Sequence, residues 1–312
     1  MLLHDHPDFA NLLLIVADQQ KISPTLVEKD YWIMHCLWGL AQQGFQFELK
    51  GGTSLSKGYG LIARFSEDID IHMTPPQAMD VKIGKNQDKP LHRASRERFY
   101  DWLSASIRIA GVDEVARDRA FDDEKLRSAG IRLHYQSHTE VLTGLKDGIL
   151  LELGFDLTTP NEKVTISSWA FDYARTMVNE LQDNRAIDVL CYSPAYTFVE
   201  KLQTISTKYR RYQQMDTLPA NFLRHYYDVY CLLGSQAVQD FIGSELYEHH
   251  KEQRFGRLDE FVIARNDAFL LPNILERERF SREFEKTKDL YYQGQPSFHE
   301  IVERIALHID RL

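Results

Sequence analysis

Cysteine is scarce in this chain of 312 residues, with only Cys36, Cys191 and Cys231. The three are far apart, odd in number and flanked by apolar or aromatic residues, which points to reduced, partly buried thiols rather than a disulfide framework. No Cys or His pair has the spacing of metal ligands in a turn, so no zinc site is expected. The adjacent His249 and His250 stand in a polar run and read as solvent-facing. No apolar run reaches about 18 residues, so no membrane span is expected. Residues 1–6 lack a basic region leading into an apolar stretch, so no signal peptide is expected, and a cytoplasmic location is. Neither a Ser-His-Asp nor a Cys-His arrangement stands out, and there is no internal repeat or low-complexity tract.

Positive charge is also in short supply. Lys and Arg number 37 against 46 Asp and Glu, a net charge of −9. That argues against broad affinity for duplex DNA, which depends on many phosphate contacts. A local basic groove for an RNA end stays open: Lys201, Lys208, Arg210 and Arg211 interleave with Tyr209 and Tyr212, and aromatics among cations can stack bases. The same stretch also reads as a solvated helix face.

What the chain does have is enough apolar content, 43%, for a well-buried core. Spacing predicts helices over 8–22 and 24–43, the second started by Ser23-Pro24. Residues 45–49 alternate as a half-buried strand. Residues 77–90 are polar and read as a mobile insertion, and 92–110 as an amphipathic helix with Phe99, Leu103 and Ile107 on one stripe. Strands are expected near 131–135, 148–155, 164–166 and 187–190. From Pro194 the pattern is helical (194–212, 219–234 and shorter helices to Leu312), so the expected domains are 1–193 and 194–312. The class is α+β, a mixed sheet flanked by helices followed by a helical C-terminal region.

The most telling stretch runs from Lys50-Gly51-Gly52-Thr53-Ser54 to Ser66-Glu67-Asp68-Ile69-Asp70. It reads as a glycine turn, a short helix and a strand. Two glycines let the backbone turn sharply and let a ligand approach main-chain N–H groups at a helix start, which favours phosphate. Asp68 and Asp70, two apart on a strand, share a face and can hold a hard divalent cation against a triphosphate. The competing reading is a pair of surface carboxylates on an edge strand. Glu152 lies inside an apolar run, where an unpaired carboxylate is costly; it is a metal ligand or base, or else pairs with an Arg. Asp156 is its rival. Thr53, with Gly51, Gly52, Ser54 and Ser66, is a candidate phosphate holder. Lys57 offers a point charge or is a solvated lysine, and Lys50 and Arg64 are weaker candidates. Tyr227 and Tyr230 recur near helical spacing and read as core.

Gly52-Thr53 followed by Asp68-Ile69-Asp70 resembles the signature of DNA polymerase β-like nucleotidyltransferases. The fuller pattern, Gly51-Gly52-Thr53 with Ser66 before the aspartates, is similar to the AbiEii/AbiGii-type toxins of type IV toxin–antitoxin systems. Glu28-Lys29-Asp30-Tyr31-Trp32, Glu200-Lys201-Leu202 and Arg224 to Val229 resemble further segments of that family. The resemblance touches roughly residues 25–75 and 148–232. It implies a polymerase β-like core and a metal-dependent transfer of NMP from an NTP to a hydroxyl. Mg²⁺ or Mn²⁺ would sit on Asp68, Asp70 and Glu152, one ion neutralising the triphosphate and another lowering the pKa of the attacking hydroxyl. Lys201 would contact the triphosphate or nucleobase, and Asp228 would complete the site from the helical half, with His225 standing where relatives have Asp. RNA, tRNA included, is the implied acceptor and a cognate antitoxin protein the implied partner. Two alternatives remain: transfer to a small-molecule or protein hydroxyl, and a nucleotide-binding module without turnover.

Overall fold

A computed structural model describes residues 1–140 and 145–312. The chain divides into two compact units. The first comprises Met1–Gly58 and Phe65–Tyr192, the second Tyr59–Arg64 and Ser193–Leu312. The chain therefore crosses to the second unit and back just before the aspartate strand, a crossing that no shift in composition marks.

The first unit is built on seven strands: β1 (Phe47–Lys50), β2 (Asp68–Met73), β3 (Val112–Asp118), β4 (Ser128–Tyr135), β5 (Ile149–Gly154), β6 (Asn161–Ile166) and β7 (Ala186–Tyr192). They form one mixed sheet in the order β3-β4-β5-β2-β1-β7-β6. β2 pairs antiparallel with β1 and parallel with β5, so it lies inside the sheet. That rules out the edge-strand reading of Asp68 and Asp70. The period of two sorts β2 cleanly: Ile69, Ile71 and Met73 are buried on one face, which sends Asp68, Asp70 and His72 to the other. In β5, Ile149, Leu151 and Leu153 likewise alternate with Glu152.

Helices α1 (Phe9–Gln20), α2 (Pro24–Gln42), α3 (Gly51–Thr53), α4 (Pro90–Ser106) and α5 (Trp169–Ala174) complete this unit. α2 starts at the Ser23 cap, whose side chain accepts from Thr25 N, with Pro24 at the first turn. It is buried almost all round, from Leu26 to Leu40, so its charged residues need partners inside the protein. α4 ends at Ser106, short of the expected 110, and the chain goes on into β3, a strand the sequence pattern does not announce. The polar stretch 77–90, expected as a mobile insertion, is tied down: Arg96 donates to the carbonyls of Lys82 and Gln87, and Arg127 to those of Gly84 and Lys85.

The second unit is helical: α6 (Pro194–Met215), α7 (Arg224–Leu232), α8 (Gln236–Phe241), α9 (Glu245–Arg254), α10 (Asp267–Leu270), α11 (Ile274–Glu285) and α12 (Phe298–His308). Its core is aromatic, with Phe222, Tyr226, Phe280, Phe284 and Phe298 meeting in edge-on or tilted pairs. α12 starts with a capping box between Ser297 and Glu300. Cys36 and Cys191 are buried, and among the described residues no cysteine joins a disulfide. Among them, too, no helix is long and apolar enough to cross a membrane.

Candidate active site

Strand register brings the carboxylates together. Asp70 is the partner of Glu152 in the β2–β5 pairing and of Lys50 in the β1–β2 pairing. Residues paired in register point to the same side, so Lys50, Asp70 and Glu152 form a row, with Asp68 one step along. Partial burial, then the Asp70 and Asp68 carboxylates, pushes Glu152 up to about 8. Its nearest cation is Lys146, at 3.8 Å, not an arginine. A pocket of about 330 Å³ opens beside the row, lined by Lys50, Asp70, Arg127, Glu152 and Asp156 among others. Asp156, the rival to Glu152, stands beyond the end of β5 and pairs with Lys50 at 3.5 Å.

The glycine turn is shaped around Asp70. Gly51 has φ +73°, and a Cβ there would lie 2.0 Å from Asp70 Oδ2, so the strand end and the carboxylate fit only because that side chain is missing. Thr53 is fully buried and its hydroxyl donates to the Asp68 carbonyl at 2.5 Å, pinning the turn to β2. Ser54 is equally buried. These two side chains face inward, which leaves any phosphate contact at this turn to main-chain N–H groups. Lys57 is engaged elsewhere: its ammonium is 2.7 Å from buried Asp30 and lies over the Trp169 ring. Ser66 is half-buried just ahead of β2.

The buried charges of α2 hold the loops around this face. Glu28 accepts from Ser137 Oγ, His138 N and Thr139 Oγ1. Lys29 donates to the carbonyls of Lys146 and Gly148. Asp30 accepts from Trp169 N as well as pairing with Lys57. Lys146 Nζ sits on Asp68, 2.9 and 2.8 Å from its two oxygens.

In the second unit, Asp228 is fully buried, with Arg64 Nε and Nη2 donating at 2.6 and 2.8 Å and Lys201 Nζ at 3.0 Å. Burial alone would raise the Asp228 carboxyl, but Arg64 and Lys201 outweigh it and hold it at about 2. His225 lies beside them. Burial, then Lys201 and Lys208, drives its pKa well down, and its Nε2 is 3.2 Å from Lys208 Nζ.

A family model described as nucleotidyl transferase AbiEii toxin, type IV TA system, matches residues 33–304. The chain belongs to the AbiEii family. No curated protein matches it. The family expected from the glycine turn and the aspartate pair is thus the one shown, and with it come the nucleotidyl transferase class and the toxin–antitoxin setting.

Within this AbiEii-family chain the sequence candidates sort by unit. Gly51, Asp68, Asp70 and Glu152 gather on one sheet face, whereas Lys201, Asp228 and Arg64 form a buried ion cluster in the second unit. The basic stretch after Lys201 is not a stacking groove: Tyr209 and Tyr212 are buried against Phe280, and Arg210 pairs with Asp259. Tyr227 is core, as expected, and its hydroxyl accepts from Ala63 N. Of the two histidines expected in solvent, His249 is exposed but His250 is buried against Tyr196. Sequence reasoning missed Lys146 and Glu67. Only the burial of Lys29 beside a strand-flanking loop could have hinted at them, and periodicity does not report it.

Among the described residues no group of three or more His, Cys, Asp or Glu side chains forms a ready-made metal cage. The face nonetheless fits a hard divalent cation. Its donors are carboxylates, burial and then the Asp70 and Asp68 charges already raise Glu152, and Asp68 already carries a cation in the form of an ammonium.

Proposed function

We propose that this chain transfers NMP from an NTP to a hydroxyl with the help of Mg²⁺ or Mn²⁺, and that the acceptor is RNA, tRNA in particular. Asp68 and Asp70 would hold the cation and Glu152 is the third carboxylate. The observation that carries this reading is the register pairing of Asp70 with Glu152 one step from Asp68, with the bare Gly51 Cα against Asp70. When bound, the metal would neutralise the triphosphate and acidify the attacking hydroxyl.

The chain's own residues do the rest. Main-chain N–H groups of Gly52 and Thr53 orient the triphosphate, while the Thr53 hydroxyl fixes that turn to β2. The acceptor oxygen attacks the α-phosphorus, the bond from that phosphorus to the bridging oxygen breaks, and pyrophosphate leaves. Glu152, once ionised, takes the hydroxyl proton. Lys201, steadied by Asp228, is the second unit's proposed contribution of positive charge. The RNA acceptor rests on what the family implies. Action in the cytoplasm and a cognate antitoxin protein belong to the same proposal.

A second reading keeps the chemistry and changes the acceptor. The pocket beside the row is lined by Asp70, Asp123, Glu152 and Asp156 against Lys50 and Arg127, an acidic balance that favours a cationic small molecule. The deciding experiment incubates the purified chain with Mg²⁺, each NTP labelled at the α-phosphate, and total bacterial RNA or an aminoglycoside. Label in tRNA with the wild type and not with Asp68→Asn supports the first reading; label only in the aminoglycoside supports the second. If no label moves to any acceptor, the transfer reading is wrong.

A further inference from the structure

Lys146 is too well anchored to be a chance surface partner of Asp68. Its backbone is clamped on both sides: its N–H donates to Glu67 Oε2 at 2.9 Å, and its carbonyl accepts from Lys29 Nζ, which also reaches the Gly148 carbonyl at 2.9 Å. Both clamping side chains are largely buried, 5% exposed for Lys29 and 13% for Glu67, and they face each other at 3.9 Å. Burying a lysine is costly, and here that cost goes into fixing one loop. The clamp delivers the Lys146 ammonium onto both oxygens of Asp68, 3.8 Å from Glu152, with the Phe121 ring beneath it at 4.7 Å. Phe121, Glu67 and Lys29 therefore hold the Lys146 ammonium, a monovalent cation, against the carboxylate on which the proposed metal must act.

We infer that Lys146 is a resident counterion that competes with the divalent metal for Asp68, so that the metal site opens only when the ammonium is displaced. The inference rests on the metal reading of Asp68 and Asp70. In the metal-free chain Lys146 occupies both oxygens of Asp68, and it lowers the affinity of the face for a bare cation. A metal arriving with a triphosphate brings phosphate oxygens as extra ligands and a new anionic partner for the freed ammonium, so binding of metal and nucleotide is coupled. Lys29 and Glu67 act through Lys146 as positioning residues.

The test uses the full chain without nucleotide and Mn²⁺ alone, with free Mn²⁺ followed by its electron paramagnetic resonance signal. Lys146→Met is expected to bind Mn²⁺ roughly tenfold tighter than the wild type, the equivalent of releasing one partly buried ion pair. Lys163→Met removes an exposed lysine that pairs with Asp188, away from the row, and is expected to change binding less than about twofold. An unchanged or weaker Lys146→Met, or an equal gain with Lys163→Met, overturns the inference while leaving the metal site standing, provided Asp68→Asn loses Mn²⁺. If Asp68→Asn binds as the wild type does, the metal reading falls and this inference with it. Should Lys146→Met fail to fold, the wild type supplies the answer. Acetylation of Lys146 by an amine-reactive ester, read by mass spectrometry, is expected to rise roughly threefold on adding Mn²⁺ as the ammonium is freed; a fall or no change overturns the inference.

Discussion

Asp70 and Glu152 face each other across the parallel β2–β5 pairing, and Glu152 is held near 8 as a result of its partial burial and of the Asp70 and Asp68 charges. A shared face of this kind is stable only if one member keeps a proton or a cation intervenes. This gives the metal-free protein a pH dependence of known sign. Unfolded, the Glu152 carboxyl ionises near 4.5; folded, near 8. Between those values the folded state binds more protons, so its stability falls as pH rises from about 5 to 8 and levels off above. Urea unfolding in the presence of a chelator should show this fall for the wild type and a flatter profile for Glu152→Gln. Equal profiles would mean that Glu152 is not under strain from its neighbours. In the labelled-NTP assay the same variant should lose roughly 100-fold or more of transfer, the usual contribution of a proton-accepting group.

Asp228 gives the opposite pH sign. Its carboxyl is held at about 2 by Arg64 and Lys201, so its contribution is present above its ordinary value near 3.8 and disappears as pH falls toward 2. Asp228→Asn leaves two buried cations sharing a neutral amide, and breaking a buried pair in this way costs about 3–5 kcal/mol. Urea unfolding at neutral pH should show that loss, and it should shrink as the solution is acidified.

How much of this could be read from the sequence depended on whether local pattern decided the outcome. β2 was legible because apolar residues alternate with Asp68 and Asp70, and β5 because it is a nearly continuous apolar run around Glu152, as a central strand is. β3 was not, because Val112–Asp118 is mostly charged; its place at the sheet edge is secured by β4 pairing and by contacts such as Arg132 with Asp118, which no period reports. The apolar spacing of Leu26, Tyr31, Met34 and Leu37 announces α2 but not that the helix is buried on its other sides too. Glu28, Lys29 and Asp30 look like a solvated face until their partners, more than 100 residues away, are known. The same distance hid Lys146. Tyr209 and Tyr212 show the converse: aromatics among cations suggest base stacking, but the helical stripe they lie on is buried against α11.

Lys57 separates a structural role from a phosphate role. Its ammonium neutralises Asp30, a carboxyl that burial already raises. Lys57→Met should therefore destabilise the chain by about 3 kcal/mol, and less at low pH, where Asp30 takes up a proton. Nucleotide affinity, measured by isothermal titration calorimetry on the folded fraction, should stay within about twofold of wild type, a difference below ~0.4 kcal/mol. A tenfold loss of affinity would return Lys57 to the triphosphate.

Gly51 offers the sharpest distinction between fold and site. Alanine there faces two separate obstacles. The first is the backbone, φ +73°, which costs an L-residue about 1 kcal/mol. The second is the collision of Cβ with Asp70 Oδ2 at 2.0 Å. Asp70 is only half-buried, so its carboxylate can swing aside and the collision is relieved cheaply in stability. It is relieved at the expense of the geometry that the row with Glu152 requires, and a misplacement of about 1 Å can cost some 100-fold in rate. Gly51→Ala should thus melt only a few degrees below wild type and yet lose transfer by about that factor. Gly44 is the control: its φ is +77°, but nothing lies within 4 Å of a Cβ there. Gly44→Ala carries the same backbone strain without the collision, so it should show the same drop in melting temperature with full transfer activity. If both variants keep activity, Asp70 does not need the position that Gly51 leaves open for it.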